Sequence, residues 1–224
     1  MEKYLSSLKD SELFNGISEE NILRLLKCLS GHKKKIKNGE FFFHAGDKVK
    51  YVYIILSGSI HIVDEDFWGN RSIIEMMPQN TFFGEAYVFS KSETQLVSLI
   101  AAEDSVILEI NPKKLFDACA DECKCHSILS RNAIRILSTK IVRLTEKLMH
   151  IMQRTTQEKV ISYLSYCARN AQNDSFDIPY SRQELADFLC VERTALSHEL
   201  SRLKKIGMID YHKNHFTLLT DYMK

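Results

Sequence analysis

Four polar side chains close together in the chain have types and spacing suited to contacting the edges of DNA bases. They are Arg193, Thr194, Ser197 and His198, and residues three or four positions apart share one face of a helix. An arginine can form two hydrogen bonds to guanine in the major groove. Polar side chains near the N-terminal end of a helix are what major-groove reading requires, so we expect a base-contacting helix over this segment.

A preceding helix is predicted to hold this one in place. Ser181 can cap its first turn, and Glu184, three residues later, completes a capping box. The helix is expected to end near Leu189, with a turn at Cys190 and Val191. Two helices joined by so short a turn favour a helix-turn-helix domain.

Apolar residues indicate how the two helices pack, and a hairpin is predicted to follow them. The apolar positions are Leu185, Ala186, Phe188 and Leu189 in the first helix and Ala195, Leu196, Leu200 and Leu203 in the second. Gly207 is suited to end the second helix. Residues 209–211 and 215–219 are then expected to pair around Lys213 and Asn214, which predicts a wing.

Short segments rich in β-branched and aromatic residues fill the first half of the chain. They lie at 40–44, 51–56, 59–64, 72–76, 94–101 and 106–110, with turn-forming residues between them. Ser18 is expected to cap a short helix before them, and Pro112 is suited to start a helix with Leu115 and Phe116. Short strands without intervening helices favour an antiparallel β-barrel or jelly roll, within an α+β fold.

Between the two halves, apolar residues three and four positions apart predict a long helix with a narrow apolar stripe. The stripe consists of Ile134, Leu137, Ile141, Leu144, Leu148 and Ile151. This spacing is that of a coiled coil, so we favour a parallel contact between two copies of the chain. A helix lying on its own β domain is the alternative.

Composition and charge agree with this division. The chain has 224 residues, 45% of them hydrophobic, and a net charge of +1, but residues 1–126 carry −4 and residues 127–224 carry +5. An excess of positive charge in the second half is what the binding of DNA phosphates by that half would require. We predict a sensor domain at 1–126, a dimerisation helix at 127–153 and a DNA-binding domain at 154–224. Without a basic leader or a long apolar run, we expect a cytoplasmic protein that does not contact membranes.

Two stretches resemble the CRP/FNR family of bacterial regulators. The run NGEFFFHAGDKVKYVYIILSGSIHIVDEDFWGN, with FFGEAYVF, is similar to its cyclic-nucleotide-binding domain, and Gly39, Gly46, Gly58 and Gly84 match its turn glycines. The run SRQELADFLCVERTALSHELSRLKKIGMI is similar to its helix-turn-helix. The resemblance implies a homodimeric, sequence-specific transcription regulator that binds a palindromic operator in double-stranded DNA and has RNA polymerase as a partner.

The resemblance also implies roles for individual residues. Arg193 matches the base-reading arginine of the family, and Ser181, Arg182 and Gln183 stand where the family binds backbone phosphates. His198 stands where an arginine is common. Cys190 stands where relatives often have glycine, and a cysteine is tolerable there if the local backbone keeps φ negative.

The resemblance places an effector pocket at Gly84, Glu85 and Gln95. In relatives that bind cyclic AMP, an arginine pairs with the cyclic phosphate, and Gln95 aligns with that arginine. No Lys or Arg lies between Ser92 and Val106. A buried phosphate would lack a countercharge, so we do not expect cyclic AMP to bind, and the effector stays unknown. A pocket for a small apolar or phenolic effector is an open alternative, because such a pocket has no recognisable sequence motif.

Cysteine and histidine residues offer a further sensing chemistry. Cys119, Cys123, Cys125 and His126 cluster before the long helix, but their spacing matches no known zinc pattern, so we interpret them as reduced thiols and assign no metal. Cys28 alone near the N-terminus argues against an iron-sulfur cluster. No haem ligand is assigned among His44, His61 and His126.

The sequence also bears on two other classes of function. A ligand-binding regulatory module that acts on a partner protein is the alternative to a DNA-binding regulator, and it predicts tight nucleotide binding with negligible DNA affinity. An enzyme is not expected, because the sequence contains no phosphate-binding P-loop, HExxH motif or nucleophile elbow.

Overall fold

A computed structural model of the chain describes residues 2–66, 68, 71–90, 92, 94–116 and 124–219. The chain divides into two compact units, Met1–Leu137 and Ser138–Lys224. Each unit has its own apolar core, and the division falls within one long helix. Across the described residues, no helix is both long enough and apolar enough to cross a membrane.

Eight strands of the first unit, within the described residues, form two antiparallel sheets. They are β1 (His32–Ile36), β2 (Phe41–Phe43), β3 (Val52–Ser57), β4 (Ile60–Glu65), β5 (Arg71–Met77), β6 (Phe82–Phe83), β7 (Ser98–Ala101) and β8 (Ser105–Ile110). One sheet has the order β1-β8-β3-β6 and the other the order β2-β7-β4-β5. The antiparallel β domain predicted from the sequence is therefore confirmed.

Strand β3 explains how the two sheets are held together. Tyr53 and Ile55 belong to an apolar core shared by both sheets, whereas Val52, Ile54 and Leu56 belong to a core shared with the helices of this unit. Successive side chains of a strand point to opposite faces. All five are at most 2% exposed, so both faces of the sheet that contains β3 are covered.

The ends of the predicted strands move by a few residues, and two differences have a physical cause. The segment predicted at 94–101 is a strand from Ser98 onward, because the Gln95 backbone instead bonds to the loop at Gly46 (2.8 Å) and Asp47 (2.9 Å). Strand β1 was not predicted, because its run of lysines is exposed to solvent. Its backbone nevertheless pairs with β8 over five residues.

Two turn glycines of the first unit cannot be replaced without a clash. Gly58 has φ +84°, and a Cβ atom there would overlap Ser105. Gly84 has φ +88°, and a Cβ atom there would lie 2.7 Å from the Tyr53 ring. Left-handed backbone and close approach both require glycine at these turns.

Short helices accompany the sheets. They are α1 (Leu5–Asp10), α2 (Glu19–Cys28), α3 (Glu85–Val88) and α4 (Pro112–Phe116), with single 3₁₀ turns at Glu2–Tyr4 and Glu12–Phe14. Helix α4 begins at Pro112 as predicted. Ser18 occupies the N-cap position of α2, but its hydroxyl makes no capping hydrogen bond, so the predicted side-chain cap is wrong.

The long helix α5 (Lys124–Ile151) runs from the first unit into the second. In its first half, Leu129, Ala133 and Ile136 are buried in the core that also contains α1 and α2. Asn132 is buried beside them, and its Nδ2 donates to the carbonyls of Leu13 (3.0 Å) and Asn15 (2.8 Å). These contacts fix one face of α5 to its own unit.

The second unit is a three-helix domain with a small sheet. Its elements are α6 (Thr156–Ala171), β9 (Ser175–Asp177), α7 (Arg182–Leu189), α8 (Arg193–Lys205), β10 (Ile209–His212) and β11 (His215–Leu218). The strands form an antiparallel sheet with the order β10-β11-β9. The helix pair and the hairpin were predicted, whereas β9 was not. The α+β class with a helix-turn-helix and wing is confirmed.

Candidate nucleic-acid interface

The capping box at the start of α7 has the geometry that the sequence predicted. The Glu184 backbone N–H donates to Ser181 Oγ (3.3 Å), and the Ser181 backbone N–H donates to Glu184 Oε2 (2.7 Å). The hydrogen bonds from Ser181 lower the pKa of Glu184 below its ordinary value. Two orphan donors of the first turn are thereby satisfied, which fixes where α7 begins.

The turn between α7 and α8 is a left-handed cap at a cysteine. Cys190 has φ 51° and ψ 56°, its N–H donates to the Asp187 carbonyl (3.2 Å), and the Val191 N–H donates to the Ala186 carbonyl (3.0 Å). This is the Schellman arrangement, in which glycine is usual. Cys190 therefore does not have the negative φ at which cysteine in place of glycine would be tolerated.

Helix α8 has one buried face and one exposed face. Leu196, Leu200 and Leu203 are fully buried in the core of the second unit. Ala195, which the sequence placed with them, is exposed, because it lies one residue off the leucine face. Three leucines at helical spacing thus fix the rotation of α8 about its axis.

The predicted base-reading residues lie on the solvent side of α8. Arg193 is the first residue of the helix, and Arg193, Thr194 and His198 are exposed, whereas Ser197 is half-buried. Within the described part of the chain, Arg193 makes no hydrogen bond or ion pair. Its guanidinium is thus available to a partner outside the chain.

Arg182 was predicted to bind a DNA phosphate, but its side chain contacts the wing. Its Nη2 donates to the Lys213 carbonyl (3.1 Å), and its guanidinium lies over the rings of Tyr211 (4.9 Å) and Phe216 (5.2 Å). Burial lowers the pKa of Arg182 below its ordinary value. The neighbouring Gln183 is exposed and donates to Asp187 (2.9 Å). Of the predicted phosphate-binding residues, Ser181 and Gln183 are therefore the more exposed.

An open cleft of ≈ 600 Å³ separates the start of α7 from the wing. Its lining residues are Asp177, Ser181, Arg182, His212, Lys213, Asn214 and His215. On its wall, His215 Nδ1 lies 3.0 Å from Asp177 Oδ1, and His215 Nε2 lies 2.9 Å from Ser175 Oγ. These contacts join β11 to β9, the strand that was not predicted.

The predicted dimerisation stripe on α5 is largely exposed. Ile134, Ile141, Leu144 and Leu148 are 51–63% exposed, and Leu137 and Ile151 are half-buried. Val142, Met149 and Met152 are also exposed and widen the apolar face.

Two of the three predicted effector residues are buried, and Gly84 is half-buried. Gly84 caps α3, Glu85 begins it, and both Glu85 (4% exposed) and Gln95 (6% exposed) are buried. The Leu96 N–H donates to the Tyr87 hydroxyl (3.5 Å), which links α3 to the Gln95 segment.

Aromatic rings pack in the core between the two sheets, and the Tyr53 ring lies close to Gly84. The ring centroid of Tyr53 lies 5.0 Å from that of Phe42 and 5.1 Å from that of Phe83. Burial, followed by the Glu109 carboxylate, raises the pKa of Tyr53 above its ordinary value. The phenol is therefore neutral and adds no charge to the interior.

The predicted thiol and metal candidates are only partly described. Cys119 and Cys123 lie outside the described residues, Cys125 is half-buried and His126 is buried. No group of three or more metal-binding side chains occurs among the residues described. His44, weighed as a haem ligand, is exposed and stacks on Phe41 (4.1 Å between centroids).

Sequence reasoning missed two residues that organise this domain. Lys159 Nζ donates to the carbonyls of Leu189 (3.2 Å) and Cys190 (3.3 Å), so α6 supports the turn before α8. His150 is buried among aromatic rings near the end of α5. Neither carries a motif, although a histidine between Leu148 and Ile151 at the end of the apolar stripe was a usable signal for the second.

These features define the class of the protein. A capped helix pair, an exposed polar helix face and a wing make a winged helix-turn-helix domain, here linked by a long helix to an antiparallel β domain. Comparison with known proteins agrees. A cyclic nucleotide-binding domain model matches residues 33–122, and a Crp-like helix-turn-helix domain model matches residues 158–222. The chain belongs to the CRP/FNR family and is a DNA-binding transcription regulator with a cyclic-nucleotide-binding-like sensor domain.

Individual relatives support this placement. A probable transcriptional activator of Rhizobium leguminosarum bv. viciae is 28% identical over 192 residues, covering 82% of this chain and 76% of that protein. The cAMP-activated global transcriptional regulator CRP of Pasteurella multocida (strain Pm70) is 23% identical over 196 residues, covering 81% and 87%. The catabolite activator protein of Thermus thermophilus shares the fold, with a TM-score of 0.50 at 17% identity over 93% of each chain.

Proposed function

We propose that the protein acts as a homodimer that binds a palindromic operator, under the control of a signal received by the β domain. The observation that carries the proposal is the exposed face of α8, where Arg193, Thr194 and His198 face solvent above three buried leucines. Two such helices in a dimer would enter successive major grooves about 34 Å apart.

A buried face of α5 and an adjacent exposed apolar face support the dimer. Ala133 and Ile136 are buried in the core of the first unit, whereas Ile134, Ile141 and Leu144 are more than half exposed. An apolar helix face left in water favours association, and the coiled-coil spacing suits a second copy of the same helix. This dimer is the arrangement that we prefer to a helix lying on its own β domain.

Roles for the other interface residues follow from their positions. Ser181 and Gln183 stand at the N-terminal end of α7, where backbone N–H groups favour a phosphate. Arg182 supports the wing rather than pointing away from the domain. The sensor domain, dimerisation helix and DNA-binding domain remain assigned to 1–126, 127–153 and 154–224. RNA polymerase as a partner, a cytoplasmic location and the lack of a catalytic role are inferred from the family.

We infer that the signal is not cyclic AMP. Gln95 takes the place of the phosphate-binding arginine, and both Glu85 and Gln95 are buried. A cyclic phosphate would enter that space without a cation to pair with. Calorimetric titration with cyclic AMP should therefore give no binding heat. Tight binding, together with negligible DNA affinity, would favour the ligand-binding module that acts on a partner protein.

Selection from a pool of random-sequence duplexes tests the DNA-binding proposal. We expect the unmodified protein to enrich a palindromic sequence, which then serves as the operator in affinity measurements. Arg193→Ala should lose about 1–3 kcal/mol of discrimination between operator and random DNA. Arg24→Ala is the matched control, because Arg24 is an exposed arginine on α2 that pairs with Glu20. Failure to enrich any sequence would refute the proposal.

A further inference from the structure

Lys159 connects helix α6 to the end of helix α7. Its ammonium group donates hydrogen bonds to the carbonyls of Leu189 (3.2 Å) and Cys190 (3.3 Å). The last carbonyls of a helix have no partner within the helix, and the helix dipole favours a cation at that end. One side chain from a neighbouring helix thus satisfies two acceptors at the turn that leads to α8.

The turn that Lys159 contacts is conformationally unfavourable for its own sequence. Cys190 adopts a left-handed backbone, φ 51° and ψ 56°, which glycine adopts without strain and cysteine does not. The local chain therefore does not favour this turn by itself. Contacts from outside the turn must contribute to holding it.

The same turn sets the direction in which α8 leaves α7. Arg193, the first residue of α8, follows Cys190 by three residues. A change in the backbone angles at Cys190 would rotate the start of α8 and move the Arg193 guanidinium. A contact with two hydrogen bonds to a base tolerates little displacement, because hydrogen bonds weaken steeply with distance and angle.

We propose that Lys159 is a positioning residue for base reading: by holding the left-handed turn at Cys190, it places Arg193 for its contact with DNA. This inference rests on the proposed function, in which Arg193 contacts a base. It assigns Lys159 an effect on sequence discrimination that is separate from its effect on stability.

The test measures the ratio of affinities for the selected operator and for random duplex DNA. Lys159→Met keeps the length of the side chain but cannot donate to the two carbonyls, and the ratio should fall about ten-fold, as expected for loss of one two-bond base contact. Lys159→Arg should restore the ratio, because a guanidinium can donate to both carbonyls. Arg169→Met, which removes an exposed cation from the far end of α6, should leave it unchanged.

Two outcomes would overturn the inference. One is an unchanged ratio in folded Lys159→Met protein. The other is an equal loss of affinity for both DNAs, together with the release of about one counterion fewer on binding. That result would make Lys159 a direct phosphate contact. In both cases the unmodified protein still prefers its operator, so the proposed function survives. If the unmodified protein did not prefer any operator over random duplex DNA, the proposed function itself would be refuted.

A second background covers the case in which Lys159→Met does not fold. Cys190→Gly relieves the strain at the turn but adds no donor for the carbonyls, so Lys159→Met should be tolerated there. In this background Lys159→Met should still lower the ratio relative to Cys190→Gly alone. Equal ratios would overturn the inference.

Discussion

The Nδ1 atom of His150 lies 2.8 Å from the hydroxyl oxygen of Ser162, and the hydrogen bond between them ties the last turn of α5 to α6. His150 is 2% exposed, and the rings of Tyr163 and Tyr166 stand edge-on to it at 5.6 and 5.4 Å. Burial lowers the pKa of His150 below its ordinary value of 6.5, although the Glu146 carboxylate opposes the shift and Arg169 adds to it. The imidazole is therefore held neutral in the fold.

The free energy of unfolding of the second unit should decrease as the pH falls below about 6.5. As the pH falls, the unfolded chain takes up the proton first, because its imidazole has the ordinary pKa. The decrease in the free energy of unfolding is complete once the pH is below the lower pKa that His150 has in the folded protein. Urea unfolding followed by circular dichroism at about pH 7.5 and about pH 5.5 measures the effect. In His150→Gln, which does not titrate, the pH dependence should be smaller; equal pH dependence in both proteins would assign it to other groups.

Replacing Cys190 by glycine should raise the free energy of unfolding by about 1 kcal/mol, because the residue is left-handed in the fold. Urea unfolding measures the change. Cys190→Ala keeps the Cβ atom and lacks the thiol, so it should stay within about 0.5 kcal/mol of the unmodified protein. Equal stabilisation by alanine would show that removal of the thiol, not relief of backbone strain, is the cause.

The capping box of α6 should contribute measurably to stability. Thr155 Oγ1 accepts from the Glu158 N–H (3.2 Å), and the Thr155 N–H donates to Glu158 Oε2 (3.0 Å). Thr155→Ala should lower the free energy of unfolding by about 1 kcal/mol. Ser18→Ala is the natural comparison, because Ser18 stands at an N-cap without a capping hydrogen bond, and its loss should have the smaller effect. The reverse order would contradict the assigned caps.

A charge in the apolar stripe of α5 should prevent dimer formation. Leu144 is 62% exposed, so Leu144→Glu removes no buried contact within the chain, but in a dimer it would place a carboxylate in an apolar seam. Light scattering after size-exclusion chromatography should show a dimer for the unmodified protein and a folded monomer for the variant. Leu96→Glu, at a 75% exposed leucine outside α5, should remain dimeric. A monomeric unmodified protein would contradict the stripe as an interface.

Local signals explain why the second unit could be predicted well from the sequence. The capping box at Ser181 and Glu184 and the three leucines of α8 specify their helices through contacts a few residues apart. The wing hairpin is likewise specified by its short turn at Lys213 and Asn214.

Features that depend on distant parts of the chain were missed. Strand β1 forms because β8 provides hydrogen-bond partners more than sixty residues away, and β9 forms because β11 does. The left-handed turn at Cys190 likewise has a distant contact, since Lys159, 31 residues earlier in the chain, donates to its carbonyl. No sequence pattern within any of these segments identifies the distant residues that it contacts.

Helix α5 is anchored in the first unit through Leu129 and Ile136 and in the second through His150, while the residues from Ser138 to Thr145 bury no side chain in either core. Extra residues added within these middle turns would leave both cores whole. Each added residue would turn the helix residues that follow it by about 100° about the helix axis, whereas a complete heptad would nearly restore the phase of the stripe. Insertion of a complete heptad is thus the change in length that keeps the apolar stripe on one face of α5.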